Sequence, residues 1–315
     1  MATVDVVIPS RSGINEEAKG PLTAMLQQTN CFCRDKKTGA PLHKPWECTH
    51  GKHNVRMMPP VYGSSVVHWA RNQAVAQAMY GQPEGDGRPP TEYFLLMDDD
   101  MTPCPEYLTR LLSYKTDIVC GICTIRRDPP KPNIRYWNAE QARFYDPVKW
   151  DWNSQKLMEI DGAGAAFMLV KRNVFEKMGD AYRNCQFEME EYERMGALTD
   201  AAAAKWAEQA EKRKLRFSQA IEAKNWQNAD SWWFQFFDNV VHGQVGEIGE
   251  DLTFCWKAKR LGYKIYADPQ VLPGHLGLYA YSIRDWQWHV EKSEAAGELD
   301  AETLSKNEVA LMPSA

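Results

Sequence analysis

Apolar residues are spaced along this chain in two rhythms. Short continuous runs at residues 4–8, 93–97, 117–124, 163–170 and 263–267 have strand length and predict buried β-strands, the first stopped by Pro9. Between them the spacing turns helical. Over residues 65–79 the apolar positions Val66, Val67, Ala70, Ala74, Val75 and Ala78 recur at helical intervals, and Gly81 follows as a stop. Shorter helices are predicted at 23–28, 106–114, 173–178 and 252–261, with Gly179 and Gly262 closing the last two. Residues 198–225, rich in Ala, Glu and Lys, predict a long exposed helix. Polar or Gly/Pro-bearing stretches at 10–21, 82–90 and 126–133 read as loops.

Strands alternating with helices predict an α/β layered domain. No internal repeat and no linker is evident. The simplest organisation is one catalytic domain over residues 1–290, with a loop-rich insertion at about 30–60, a helical insertion at about 185–235 and a polar tail at 291–315.

Composition narrows this little. The 315 residues are 44% hydrophobic and 25% charged, with a formal net charge of −5, which argues against a disordered chain and gives no global sign of a polyanion partner. No apolar run reaches the length of a membrane span, and the first residues enter a strand directly instead of forming a signal peptide. A cytoplasmic location is expected, with the eight cysteines reduced.

Candidate chemistry starts at the end of the second strand, where Asp98, Asp99 and Asp100 stand side by side. Three adjacent carboxylates repel one another. They serve either as a solvated, capping turn or as oxygen ligands for a hard divalent cation. Strand alternation places Asp98 and Asp100 on one side and turns Asp99 to the other, which makes Asp98 and Asp100 the ligand pair. Ligands of open α/β sheets bind outside the carboxyl ends of strands, where this cluster falls.

Six segments, in order across residues 4–277, carry a resemblance. They are Val4-Asp5-Val6-Val7-Ile8-Pro9-Ser10, Ala70-Arg71-Asn72-Gln73-Ala74, the strand ending in Asp98-Asp99-Asp100, Gly162-Ala163-Gly164-Ala165-Ala166, Gly249-Glu250-Asp251-Leu252, and Gly274-His275. Together they resemble the family 2 glycosyltransferases with a GT-A fold, a Rossmann-like α/β/α sandwich with a mostly parallel central sheet. The resemblance implies an inverting, metal-dependent transferase that moves a sugar from a nucleotide-diphosphate sugar to a hydroxyl acceptor. It also implies the roles. Asp251 is the general base. Asp98, Asp100 and His275 hold Mn²⁺ or Mg²⁺. Pro9, Ser10, Arg11, Arg71, Asp98 and Asp99 line the donor side, and Glu250 the acceptor side.

Elementary chemistry runs parallel to these roles. An acceptor hydroxyl attacks well only if a base takes its proton, and a carboxylate is ionised at neutral pH. At a helix start the dipole favours the charge of Asp251, keeping it deprotonated but a weaker base.

The aromatic run 226–237 precedes Asp251. Trp232 and Trp233 are candidate acceptor contacts by stacking, with packing in a core as the alternative. The acceptor stays open between a glycan and a hydroxylated base in nucleic acid. Cys31, Cys33, Cys48 and His50, with His53 close by, offer the soft ligands of a structural Zn²⁺ site, against the alternative of reduced surface thiols. Cys120 and Cys123 have redox-like spacing but fall in a predicted strand and read as core. Two further functions share the same aspartates: a nucleotidyltransferase acting on sugar phosphates, for which the segment Pro9-Ser10-Arg11-Ser12-Gly13 is a slight phosphate loop, and a catalytically silent sugar-binding module, for which a base has no use.

Overall fold

Apolar runs too short for helices form a central sheet. The computed structural model describes residues 2–10, 14–29, 53–58, 67–81, 89–126, 130–138, 143–147, 151, 153–223, 235–238, 240–242, 246–277, 280–284, 287 and 290–292. The chain starts with β1 (Thr3–Val7), α1 (Glu16–Thr29), β2 (Asn54–Met57), α2 (Val67–Tyr80), β3 (Tyr93–Met97), β4 (Met101–Thr102), α3 (Tyr107–Ser113) and β5 (Ile118–Gly121). Shorter strands follow: β6 (Thr124–Ile125), β7 (Lys131–Pro132), β8 (Ile134–Asn138), β9 (Arg143–Tyr145), β10 (Met158–Ile160) and β11 (Gly162–Ala163). Then come β12 (Phe167–Lys171), α4 (Arg172–Arg183), α5 (Gln186–Arg194) and α6 (Asp200–Ala223). The last elements are β13 (Val240–His242), β14 (Gly246–Ile248), α7 (Glu250–Arg260), β15 (Ile265–Asp268), β16 (Gly274–Leu276) and β17 (Ala280–Tyr281).

Seven strands pair in the order β10-β15-β5-β12-β3-β1-β2. The sheet is mixed. β1, β2, β3, β5 and β15 run one way, while β12 and β10 run against them. Both faces are covered, so the strands read as unbroken apolar runs and not as alternation. Along β3, Phe94 and Leu96 enter one core cluster with Phe175 of α4 and Phe254 of α7. Tyr93, Leu95 and Met97 enter the other, with Leu22 and Met25 of α1 and Leu108 and Leu111 of α3. The fold is therefore mixed α/β, with helices on both faces of the sheet. No helix among the described residues is long and apolar enough to cross a membrane.

Several boundaries differ from the sequence reading for identifiable reasons. α1 starts at Glu16 and runs through Gly20 and Pro21, which read as loop residues. Asn15 caps it through Oδ1, which accepts the Glu17 amide at 3.0 Å, and buried Ala18, Leu22 and Met25 outweigh the one helical hydrogen bond that proline removes. α4 continues past Gly179 to Arg183. A Cβ on Gly179 would lie 3.1 Å from Arg183 Nη1 and 3.6 Å from Phe236, so this glycine serves packing and does not stop the helix. The run 163–170 divides into β11 and β12, and α5 adds a helix ahead of α6. Gly262 does close α7. It has φ +86°, its amide reaches Lys259 O, and the Tyr263 amide reaches Ala258 O. Cys120 and Cys123 are buried core thiols, as read.

Gly121, at the end of β5, lets residue 271 approach. A Cβ there would lie 2.9 Å from both Val271 Cγ1 and Val271 O, and the Ile122 amide donates to that same carbonyl at 2.8 Å. Gly121→Ala is expected to lower stability by about 1–3 kcal/mol, because the close neighbour is backbone and cannot swing aside. Urea denaturation measures this; an unchanged midpoint would show that the strand ends can separate without cost.

Candidate functional site: a carboxylate crevice at the strand ends

β3 ends at Met97 and the chain turns at residues 99 and 100, so strand alternation does not extend through the aspartates. Each finds a different partner. Asp98 Oδ1 accepts from Arg71 Nη2 at 2.6 Å. Asp99 Oδ2 accepts from the Ser10 hydroxyl at 2.6 Å. Asp100 Oδ2 pairs with Arg126 Nη1 at 2.6 Å, and its Oδ1 lies 3.2 Å from His275 Nε2. Each aspartate thus has its own partner, and Asp99 fastens the loop after β1 to the end of β3.

Arg71 is the hub. α2 carries it to the strand ends, and its side chain is only 3% exposed. Nη2 serves Asp98, while Nη1 serves both Asp251 and Glu250, the latter at 3.2 Å. Residues 71, 98, 250 and 251 thereby meet although the chain separates them widely. Next to Arg71, Asn72 holds the backbone of Phe237, whose ring lies 5.9 Å from the Arg71 guanidinium. Asn72 Nδ2 donates to Phe237 O at 2.7 Å, and its Oδ1 accepts from the Phe237 amide at 2.9 Å.

Asp251 stands in the first turn of α7. Burial, helped by the charges of Glu250 and Asp98, pushes its carboxyl up to about 6, against the opposing pull of Arg71 and a backbone hydrogen bond at Ala165. The dipole-based expectation of a weakened base is thus overturned, because desolvation is the larger effect. A cleft of about 210 Å³ opens beside it, lined in part by Asn133, Arg135, Gly164 and Glu250. Gly164 borders Asp251 on this side: a Cβ there would make ordinary contact with Asn133 and, at 3.6 Å, with Asp251 Oδ2.

Burial works to raise Asp100, but His275 and Arg126 outweigh it and hold the carboxyl below its ordinary range. Burial works to lower His275, yet contact with Asp100 and the Thr124 carbonyl raises it. Burial raises Asp99, with Asp98 and Asp100 adding to it and Ser10 opposing. Among the described residues, the guanidinium groups paired with these five carboxylates are those of Arg71 and Arg126.

The donor set fits a hard cation at one point. His275 Nδ1 sits 2.7 Å from Thr124 O and donates to it, since a carbonyl can only accept. That leaves Nε2 directed at Asp100 Oδ1, a buried oxygen without a hydrogen bond of its own among the described residues. A histidine fixed by a carbonyl through its far nitrogen is the usual arrangement of a metal-binding imidazole. No group of three or more His, Cys, Asp or Glu among the described residues forms a ready cage. Mg²⁺-like ions commonly use one or two protein ligands and complete the shell with phosphates and water.

Of the remaining candidates, Pro9 and Ser10 lie at the strand end beside Asp99. Arg11, Trp232, Trp233, Cys31, Cys33, Cys48 and His50 fall outside the described residues. His53 is placed, and its Nδ1 accepts from the Ala2 amide at 3.2 Å. Phe236 and Phe237, from the same aromatic run as the two tryptophans, are fully buried core. Arg126 opens the stretch 126–133 that reads only as a loop, and its pairing with Asp100 has no signal in the sequence.

The fold and crevice define a mixed α/β protein with a charged site at the carboxyl ends of its central strands. No family model matches the chain, and no curated protein matches its sequence. Among solved structures, one titled "Crystal Structure of A197 from STIV" aligns over 88% of this chain and 86% of its own, with 14% identity and a TM-score of 0.40. A likeness that loose carries no functional argument.

Proposed function

We propose that this chain is an inverting, metal-dependent glycosyltransferase of GT-A type, which transfers a sugar from a nucleotide-diphosphate donor to a hydroxyl acceptor. The observation that carries the reading is Asp251: a carboxylate raised to about 6, open to a cleft, and joined through Arg71 to Asp98 at the end of β3. A base in that range is ionised at neutral pH yet strong enough to accept a hydroxyl proton. Arg71 holds Asp251 through Nη1 and Asp98 through Nη2.

Asp100 and His275 would hold Mn²⁺ or Mg²⁺. A cation bound there supplies positive charge to the leaving diphosphate. The chain's own residues do the rest. Ser10, fixed by Asp99, presents the loop after β1 to the nucleotide. Arg71 keeps Asp98, Glu250 and Asp251 together despite their mutual repulsion. Asp251 takes the proton from an acceptor seated in the cleft, on the side away from the donor, which inverts the anomeric carbon. The acceptor, glycan or hydroxylated base, is set by residues of that cleft and by the insertions.

The test is donor hydrolysis across a panel of nucleotide sugars with and without Mn²⁺ or Mg²⁺. Metal-dependent release of nucleoside diphosphate is expected. Release of pyrophosphate from a nucleoside triphosphate and a sugar phosphate would instead mark a nucleotidyltransferase, and no turnover of any donor would leave a silent binding module. In calorimetry, Asp100→Ala is expected to abolish the metal-dependent part of donor affinity; unchanged binding would remove Asp100 from the metal site.

A further inference from the structure

Asp100 meets a different neighbour at each carboxylate oxygen. Oδ1 lies 3.2 Å from His275 Nε2, and Oδ2 takes Arg126 Nη1 at 2.6 Å. A divalent cation held by Asp100 and His275 needs that same carboxylate, so it and the Arg126 guanidinium compete for one negative charge. Two positive charges drawn to one carboxylate also repel each other at this range.

The two arginines of the crevice differ in freedom. Arg71 is buried and spends both terminal nitrogens on Asp98, Glu250 and Asp251. Arg126 is 49% exposed, and its Nη1 reaches Asp100 and, at 3.2 Å, the Leu276 carbonyl. An ion pair with one half-exposed partner is weak, because water solvates that partner nearly as well. The backbone beneath Arg126 is fixed. Thr124 and Ile125 of β6 pair with Pro132 and Lys131 of β7, and the Thr124 carbonyl orients the imidazole of His275. The guanidinium can therefore leave Asp100 by side-chain rotation alone, with His275 still held. A guanidinium presents paired N–H donors that match phosphate oxygens, so a diphosphate at the strand ends is a partner for it. Among the described residues, no other guanidinium paired with a crevice carboxylate is comparably exposed.

We propose that Arg126 is an exchangeable cation: it neutralises Asp100 in the free protein, yields that carboxylate to a divalent cation, and then binds the diphosphate of the nucleotide. This rests on the metal site and the donor class of the proposed function.

Calorimetry with Mn²⁺ alone, and then with UDP, GDP, ADP and CDP at saturating Mn²⁺, tests it. Arg126→Gln is expected to bind Mn²⁺ alone about five-fold more tightly than the wild type, because the competing charge is gone. The same variant is expected to bind the best of the four diphosphates about ten-fold more weakly, because a charged hydrogen-bond donor is lost. The opposite signs separate exchange from general damage, which weakens both. Lys131→Gln removes a charge from the same hairpin, where it pairs with Asp146 at 2.6 Å, and is expected to change neither affinity. The proposal is overturned if Arg126→Gln binds Mn²⁺ no more tightly than the wild type, if its diphosphate affinity is undiminished, or if Lys131→Gln reproduces both effects. Equal Mn²⁺ binding by wild type and Arg126→Gln removes the exchange alone and leaves the metal site standing. No Mn²⁺ binding by either protein, or no binding of any of the four diphosphates, removes the proposed function's metal site or donor class along with it.

Discussion

Asp251→Asn is expected to cut sugar transfer by about 100-fold or more while leaving nucleotide affinity nearly unchanged. Asparagine fills the same space and can still accept from Arg71 through its carbonyl oxygen, but it cannot take a proton. The pH profile gives a second readout. Desolvation first, then Glu250 and Asp98, raise the Asp251 carboxyl to about 6. The ionised form is the active one, so the wild-type rate should climb as pH rises through about 6, and this limb should vanish in the variant. Stability moves oppositely. A carboxyl with a raised folded-state pKa favours the folded state most below its unfolded value of about 3.8, and this contribution is lost as pH rises towards 6. A loss of nucleotide binding equal to the loss of turnover would mark Asp251 as structural and remove the base assignment.

Arg71→Met should have the largest effect on stability. Methionine fills much of the volume, yet Asp98, Glu250 and Asp251 lose their shared cation in a confined crevice. Removing one partner of a buried ion pair costs about 3–5 kcal/mol, and the lower end applies here because all three acids keep partial solvent access. Chemical denaturation measures the loss. A change under about 1 kcal/mol would show that water alone screens the three acids. Arg71 also opposes the rise of Asp251, so its removal should move the acid limb above 6 wherever the variant remains folded. Arg71→Lys should recover only part of either property, since a single ammonium cannot present the fork that reaches both sides.

The sequence was most legible where burial on both faces produced unbroken apolar runs. β1, β3, β5 and β12 stand out this way, and the aspartates that follow β3 were found by position alone. It was less legible where one residue's local preference opposed its tertiary setting. Gly179 reads as a stop and is a packing glycine; Pro21 reads as a breaker and sits inside α1. Local rules also failed at the site itself. Period-two alternation could not describe Asp98 to Asp100, because the chain leaves the strand at Met97. The helix dipole gave the wrong sign for Asp251, because a dipole effect is visible from sequence and burial is not. The meeting of Arg71 with Asp98, Glu250 and Asp251 depends on contacts some 27 to 180 residues apart, which no spacing rule contains. The pairing of Arg126 with Asp100 was hidden for the same reason.

Arg71 and Asn72 occupy consecutive positions on α2 and both reach Phe237: Arg71 grips the acids of the crevice with its guanidinium 5.9 Å from the Phe237 ring centre, and Asn72 grips the Phe237 backbone. The helix therefore works as a clevis pin through two plates. Sliding or turning α2 to retune the acids would drag the Phe237 segment with it, and the Phe237 ring packs against Phe175 and Phe254. Variation in the spacing of these acids is thus constrained at α2, and equally at the turn after β3, which Ser10, Arg126 and His275 hold.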